Sequence, residues 1–390
     1  MRIPNGKDFL LRSLPPFIIC ATLIYVPYFF FSQSELFSIS LKYDAFEHAV
    51  YGLLPASLVL AAAWIGRSGR QRYLPRPYNT TPWVRLILWT LLLVSILAQL
   101  TQLVFASIAF LSGGYMAARN AAIVEGIGVL IRLDIILLPV ICIVSQRKRK
   151  LLWTLALLAL LHAGRAIVMS ERVAIIEIIC VAWVCLPLMG IYSISFKKGI
   201  VAAICTLLMF STLLHSRLDQ QSQLGGRFDS TSTSLMSSLS AYYADTMNKY
   251  YQVSAGDFDY PGLFFMAPIV AITGGEAARA GEYKALLERL ENSSNLVDKG
   301  LNNPGGLAQD VSDFGKIGYL VIFMKFLILS FAWRNRFRGP GLAACAPLVL
   351  ITVLEYPRFN YLSLPFAAYL LFISLIIGFV VQKASRPAEH

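Results

Sequence analysis

Apolar segments of roughly membrane-span length recur along most of the chain, and they leave few folds open to it. They lie at 14–31, 48–66, 86–111, 122–145, 151–169, 173–195, 199–215, 307–333, 342–357 and 361–381. A helix needs roughly 20 apolar residues to cross a hydrocarbon core about 30 Å thick. The expected fold is therefore an all-α integral membrane protein of about ten transmembrane helices. Composition agrees, with 57% hydrophobic and 14% charged side chains, against about 25% charged in soluble domains. The first segment follows Met1–Arg12, a basic stretch like the start of a signal peptide, but no small-residue cleavage site follows. It is expected to stay as the first span.

Lysines and arginines cluster in alternate loops. They fall before the first span, between Arg67 and Arg85, at Arg147–Lys150, at Lys197 and Lys198, at Arg334, Arg336 and Arg338, and at Lys383 and Arg386. These segments hold only Asp8 and Glu389 as acids. The excess of positive charge on the inner side predicts cytoplasmic N- and C-termini. The net charge of +12 thus belongs to membrane topology, and no nucleic-acid partner is implied.

The polar segment 216–306 interrupts the apolar pattern and falls on the opposite side, periplasmic in a bacterium. The chain accordingly divides into seven spans over 1–215, an extracytoplasmic loop with short helices over 216–306, and three spans over 307–390. A loop of this length between spans is usually functional. It carries Arg217, Arg227, Arg279 and Arg289. Ser232–Gln252 predicts an amphipathic helix bearing Tyr242, Tyr243, Tyr250 and Tyr251, suited to a membrane interface or to a sugar face. PGLFFMAPIVAITGG, from Pro261, is too short to cross and too apolar for water, and Gly281–Asn292 predicts a second short amphipathic helix.

Charged residues inside apolar stretches are costly and tend to mark function. The junction LLHAGRAIVMSERVAIIEI, Leu160–Ile178, holds His162, Arg165, Glu171, Arg172 and Glu177 with almost no loop. Arg172 at its tip could anchor at the interface. Arg165, deeper, requires a carboxylate, a wet cavity or an anionic ligand. The fourth segment holds Glu125, Arg132 and Asp134, suggesting an internal ion pair with another span, for which Lys316 and Lys325 are candidates. Asp310 and Asp313 lie one helical turn apart, either as a general base with a neighbouring acid or as helix-terminal charges. Glu355 and Arg358 sit in the proline turn LEYPRFN.

All six cysteines fall in apolar runs, and the closest pair, Cys180 and Cys185, lacks metal-ligand spacing, so no metal or other cofactor is expected. Phosphate-cradling glycine loops, HExxH and nucleophile elbows are absent, which disfavours ATP use, zinc proteolysis and serine hydrolysis. Clustered guanidinium groups suit phosphate.

In its layout and two local patterns the chain resembles the Wzy-type oligosaccharide repeat-unit polymerases, relatives of the O-antigen ligases. One pattern is the arginine hairpin GRAIVMSERVAIIEI, Gly164–Ile178. The other is NNPGGLAQDVSDFGKIGYL, Asn302–Leu320, in which Asp313, Phe314, Gly315 and Gly318 match the family's shape after the loop. The resemblance implies a polytopic GT-C-like bundle in the bacterial inner membrane. It implies glycosyl transfer on the outer face, from undecaprenyl pyrophosphate onto an incoming lipid-linked repeat unit, without metal or nucleotide. It implies that Arg172 and Arg165 hold the diphosphate, that Arg217 and Arg227 hold the second lipid or the glycan, with Tyr243 and Asn303 beside them, and that Asp313 or Asp310 activates the acceptor hydroxyl. A chain-length regulator and a flippase are the implied partners, besides membrane lipid. The alternatives are an O-antigen ligase, a transporter of lipid-linked sugars and a non-catalytic export component.

Overall fold

The computed structural model describes residues 13–31, 52–66, 78–122, 127–145, 147–191 and 305–386, with isolated positions at 208, 212, 246, 249, 250, 253 and 254. Numbered in order among these, the helices are α1 (Pro15–Phe31), α2 (Leu54–Gly66), α3 (Pro82–Ala121), α4 (Ile127–Leu130), α5 (Leu133–Val144), α6 (Lys148–Met169), α7 (Arg172–Leu188), α8 (Gly306–Phe314), α9 (Gly318–Arg334), α10 (Pro340–Glu355) and α11 (Pro365–Ala384). Four stretches are long and apolar enough to cross a membrane: Pro82–Gly114, Lys148–Met169, Gly306–Arg334 and Phe366–Ala384. The described protein is a helical membrane bundle. Proline opens α1, α3, α10 and α11, where its fixed φ suits a first turn and its missing N–H leaves no bond unmade.

Two helices form the centre. Every residue of α5 is buried, as is nearly every residue of α10, and the two pack on each other. Around them lie α3, α7, α11, α1 and α9. On α3, α6, α9 and α11 large apolar side chains such as Leu111, Leu160, Ile328 and Phe379 face outward, as lipid contact requires.

Three departures from the sequence expectation shape the polar region. Where one span was expected over 122–145, α5 has only 12 residues, about 18 Å of helix. The chain breaks at Ile131–Arg132 ahead of it, which sets Arg132 and Asp134 inside the bundle. Helix α3 turns back at Gly113 and Gly114, the latter at φ 68°, and Gln102 Nε2 donates to the Ala122 carbonyl at 3.0 Å. The expected span 307–333 bends at Gly315, whose φ of 54° favours glycine. There α8 folds onto α9 so closely that a Cβ on Gly318 would lie 2.7 Å from the Asp310 carbonyl oxygen.

The helix termini sort into two ends. At one, Asn79–Thr80 pairs antiparallel with Ser385–Arg386, the Tyr78 N–H donates to the Ile143 carbonyl at 3.3 Å, and Lys150 Nζ lies 4.2 Å from the centre of the Trp89 ring. The basic loops flanking 78–85, 147–150 and 383–386 therefore share one end. Trp64, Trp83 and Trp153 are exposed toward it, as an interfacial aromatic belt would be. The opposite end gathers the start of α5, the α6–α7 hairpin and the turn between α10 and α11. Arg217, Arg227, Tyr243, Asn303, Glu125 and most of the 216–306 loop lie outside the described residues.

Candidate functional site

The α6–α7 hairpin builds the site from adjacent turns. Ser170, in the left-handed region at φ 50°, ends α6, and two residues later α7 begins at Arg172. His162 and Arg165, three apart on α6, then face Glu171 and Glu177 across the hairpin. Arg165 Nη2 donates to Glu171 Oε2 at 2.7 Å, and its Nη1 lies 3.7 Å from Glu177 Oε2. From the start of α5, Arg132 reaches the same acids: its Nη2 donates to Glu171 Oε1 and its Nε to Glu177 Oε1 at 2.9 Å. The Arg132 guanidinium also lies 4.3 Å from the centre of the Phe366 ring. Tyr361, in the turn before α11, donates its hydroxyl to Glu177 at 3.0 Å.

Each of these charges would be expensive to bury alone, and the pairing of two guanidinium groups with two carboxylates offsets part of that penalty. Glu171 lies outside the helices, in the hairpin turn. Burial alone would raise its carboxyl, but Arg165 and then Arg132 overcome this and hold it down to about 2. It is thus an anion throughout the physiological range and serves as an arginine holder rather than a proton carrier.

A second group lies beside the first. Asp310, on α8, takes Lys325 Nζ at 2.5 Å and the Tyr356 hydroxyl at 2.5 Å. Asp313, one turn on, is buried as well. The turn after α10 joins the two groups. The Gly306 N–H donates to the Tyr356 carbonyl at 2.9 Å, the Asn360 N–H donates to Gln309 Oε1 at 2.8 Å, and Tyr361 reaches Glu177. A Cβ on Gly306 would lie 2.5 Å from the Tyr356 ring, so glycine is what lets α8 dock there. Glu355, paired with Arg358 at 3.0 Å, also feels Arg172 and Glu177.

Neither protein-family models, curated proteins nor solved structures match this chain. What the site does is therefore argued from its residues. Of the expected site residues, Arg165, Arg172, Asp310 and Asp313 are all buried. The 355–361 turn links the elements that carry them. All four are engaged within the protein, Arg165 by Glu171 and Asp310 by Lys325 and Tyr356 among them. The expected ion pair of Arg132 with another span is present, made by Glu177 of α7, while Lys325 pairs with Asp310 instead of Asp134. Sequence reasoning missed Tyr356 and Tyr361. Their one signal was their place beside Glu355 and Arg358 in a turn already noted as polar. Among the described residues no cluster of histidine, cysteine and carboxylate is arranged to hold a metal ion.

Proposed function

We propose that this protein is a membrane-embedded glycosyltransferase that uses a polyprenyl-diphosphate-linked oligosaccharide as donor and polymerises lipid-linked repeat units at the outer face of a bacterial inner membrane. The observation that carries this reading is the 355–361 turn. Through it the arginine hairpin and α8, far apart in sequence, meet at the end of the bundle opposite the basic loops.

Arg165 and Arg132 are held by Glu171 and Glu177, which makes them a rigid positive frame. Arg172, at the first turn of α7 where the helix dipole adds to its charge, is the residue assigned to the donor diphosphate. Asp313, one helical turn from Asp310 on α8, is the residue assigned as the base. The acceptor hydroxyl oxygen attacks the anomeric carbon as the bond from that carbon to the diphosphate oxygen breaks. The electron pair leaves with the diphosphate, and the hydroxyl proton passes to Asp313. Positive groups fixed before the reaction stabilise the departing charge, commonly the largest catalytic contribution.

The test is the length of surface glycan in cells carrying Arg172→Ala or Asp313→Ala. Each variant is expected to insert at normal levels and leave only single-repeat product. Full-length glycan from both would eliminate the enzyme reading, and single-repeat lipid-linked substrate trapped on the cytoplasmic side would instead favour a transporter.

A further inference from the structure

His162 is fully buried, and both of its ring nitrogens face oxygen. Nδ1 lies 3.0 Å from the Ala174 carbonyl oxygen and 3.7 Å from Glu177 Oε2, while Nε2 lies 2.8 Å from Asp134 Oδ2. A carbonyl oxygen can only accept, so Nδ1 carries a hydrogen. A neutral ring would then turn a bare Nε2 lone pair toward a carboxylate oxygen at bonding distance, and two lone pairs do not bond. One proton must lie between them, on Nε2 or on Asp134. The other oxygen, Asp134 Oδ1, is buried without a hydrogen-bond partner, which suits a neutral acid better than a carboxylate.

We propose that the His162–Asp134 pair is a buried proton-binding site whose single proton sets the charge balance of the arginine network. Among the described residues the charged groups around it are few. Arg132, just before α5, and Asp134, on it, lie beside the ring. Glu177 on α7 and Glu171 before it act on the ring, and Arg172 of α7 lies near enough to act on Glu355. Helix α6 itself contributes Arg165. Helix α3 contributes the Ser95 hydroxyl, which accepts the Asp134 N–H at 3.2 Å; its described charged side chain, Arg85, is bonded to Thr80 at the other end.

With the proton in place the pair is neutral overall, and two guanidinium groups balance Glu171 and Glu177. Loss of the proton adds an anion with no new cation. Arg165 is the group placed to respond, because its Nε and Nη1 are buried with no hydrogen-bond partner and Nη1 already approaches Glu177. Proton loss draws Arg165 away from Glu171 and loosens the hairpin tip. The site is thus sensitive to protonation whether or not the glycosyl-transfer reading holds.

The test uses the full chain in lipid nanodiscs with ¹⁵N-labelled histidine, and His162→Gln assigns the signal. At neutral pH the His162 Nε2 resonance is expected to report a proton bound to it or donated to it. In Asp134→Asn the amide can donate to Nε2 without any extra proton. A bare Nε2 in the wild type, neither protonated nor accepting a proton from Asp134, would overturn the proposal.

Discussion

Glu177→Gln isolates the central anion of the network with almost no change of shape. Glu177 is fully buried, accepts from Arg132 at 2.9 Å and from Tyr361 at 3.0 Å, and has Arg165 and His162 each at 3.7 Å. Its neutralisation leaves Arg132 and Arg165 sharing Glu171, with one positive charge uncompensated in the interior. Breaking a buried pair from one side costs about 3–5 kcal/mol. The two direct bonds, at about 1.5–3 kcal/mol each for a charged acceptor, lead to the same range. That is roughly a hundredfold to a few thousandfold in the unfolding equilibrium. The protein carries its own reporter, since Cys20, Cys142, Cys180, Cys185 and Cys345 are free and buried and stay silent to a thiol-reactive dye until the bundle opens. In detergent or nanodiscs the melting midpoint is expected to fall by roughly 5 °C or more. Adding Arg132→Gln should recover part of the loss, with a coupling of about 0.5–3 kcal/mol. An unchanged midpoint in the single variant, or strict additivity in the double, would refute the view that these charges stabilise one another.

Three further outcomes are expected. Tyr356→Phe should lower stability by about 1.5–3 kcal/mol in the same melting assay, since it removes a donor from the carboxylate of Asp310. Gly318→Ala should cost about 1–3 kcal/mol because the new methyl meets the backbone of Asp310 and Val311, neither able to yield alone; Gly128→Ala, with nothing within 4 Å of the added atom, is the matched control. In a background lacking native cysteines, a membrane-impermeant maleimide applied to intact cells should label Lys316→Cys and spare Lys148→Cys, and the opposite pattern would invert the proposed orientation.

The helices were legible where an apolar run is bounded by charge or proline. Segment 151–169 became α6 with basic residues at its start, and 361–381 became α11 opening at Pro365. The same signal missed the break at Ile131–Arg132 within 122–145 and the bend at Gly315 within 307–333, although Gly306–Arg334 remains long and apolar enough to cross, because hydropathy averages over a run and does not register local backbone geometry. At Arg132 the break is imposed by charges that need partners deep in the bundle, and at Gly315 by a φ that glycine readily adopts. The hairpin stood out as a candidate site from the density of charge between Leu160 and Ile178. Its pairings were not, because Arg132 meets acids 39 and 45 positions away and Tyr361 meets an acid 184 positions away. Only the packing of α5, α7 and α10 brings these together. Asp310 and Asp313 fell on one helix as their spacing suggested, yet the partners of Asp310, Lys325 and Tyr356, lie on other elements and were not foreseen.

The fully buried α5 has a consequence for biogenesis. During synthesis it leaves the ribosome while α10, the partner that covers it, is still unmade. At about 18 Å it cannot match a bilayer by its own length. Until the late helices arrive it has to be sheltered by its early neighbours α3, α6 and α7, so the nascent bundle passes through a stage with a half-open interior and exposed polar residues. Membrane quality control would act on that stage, and substitutions in α10 should reduce the amount of protein that accumulates before they alter what the finished protein does.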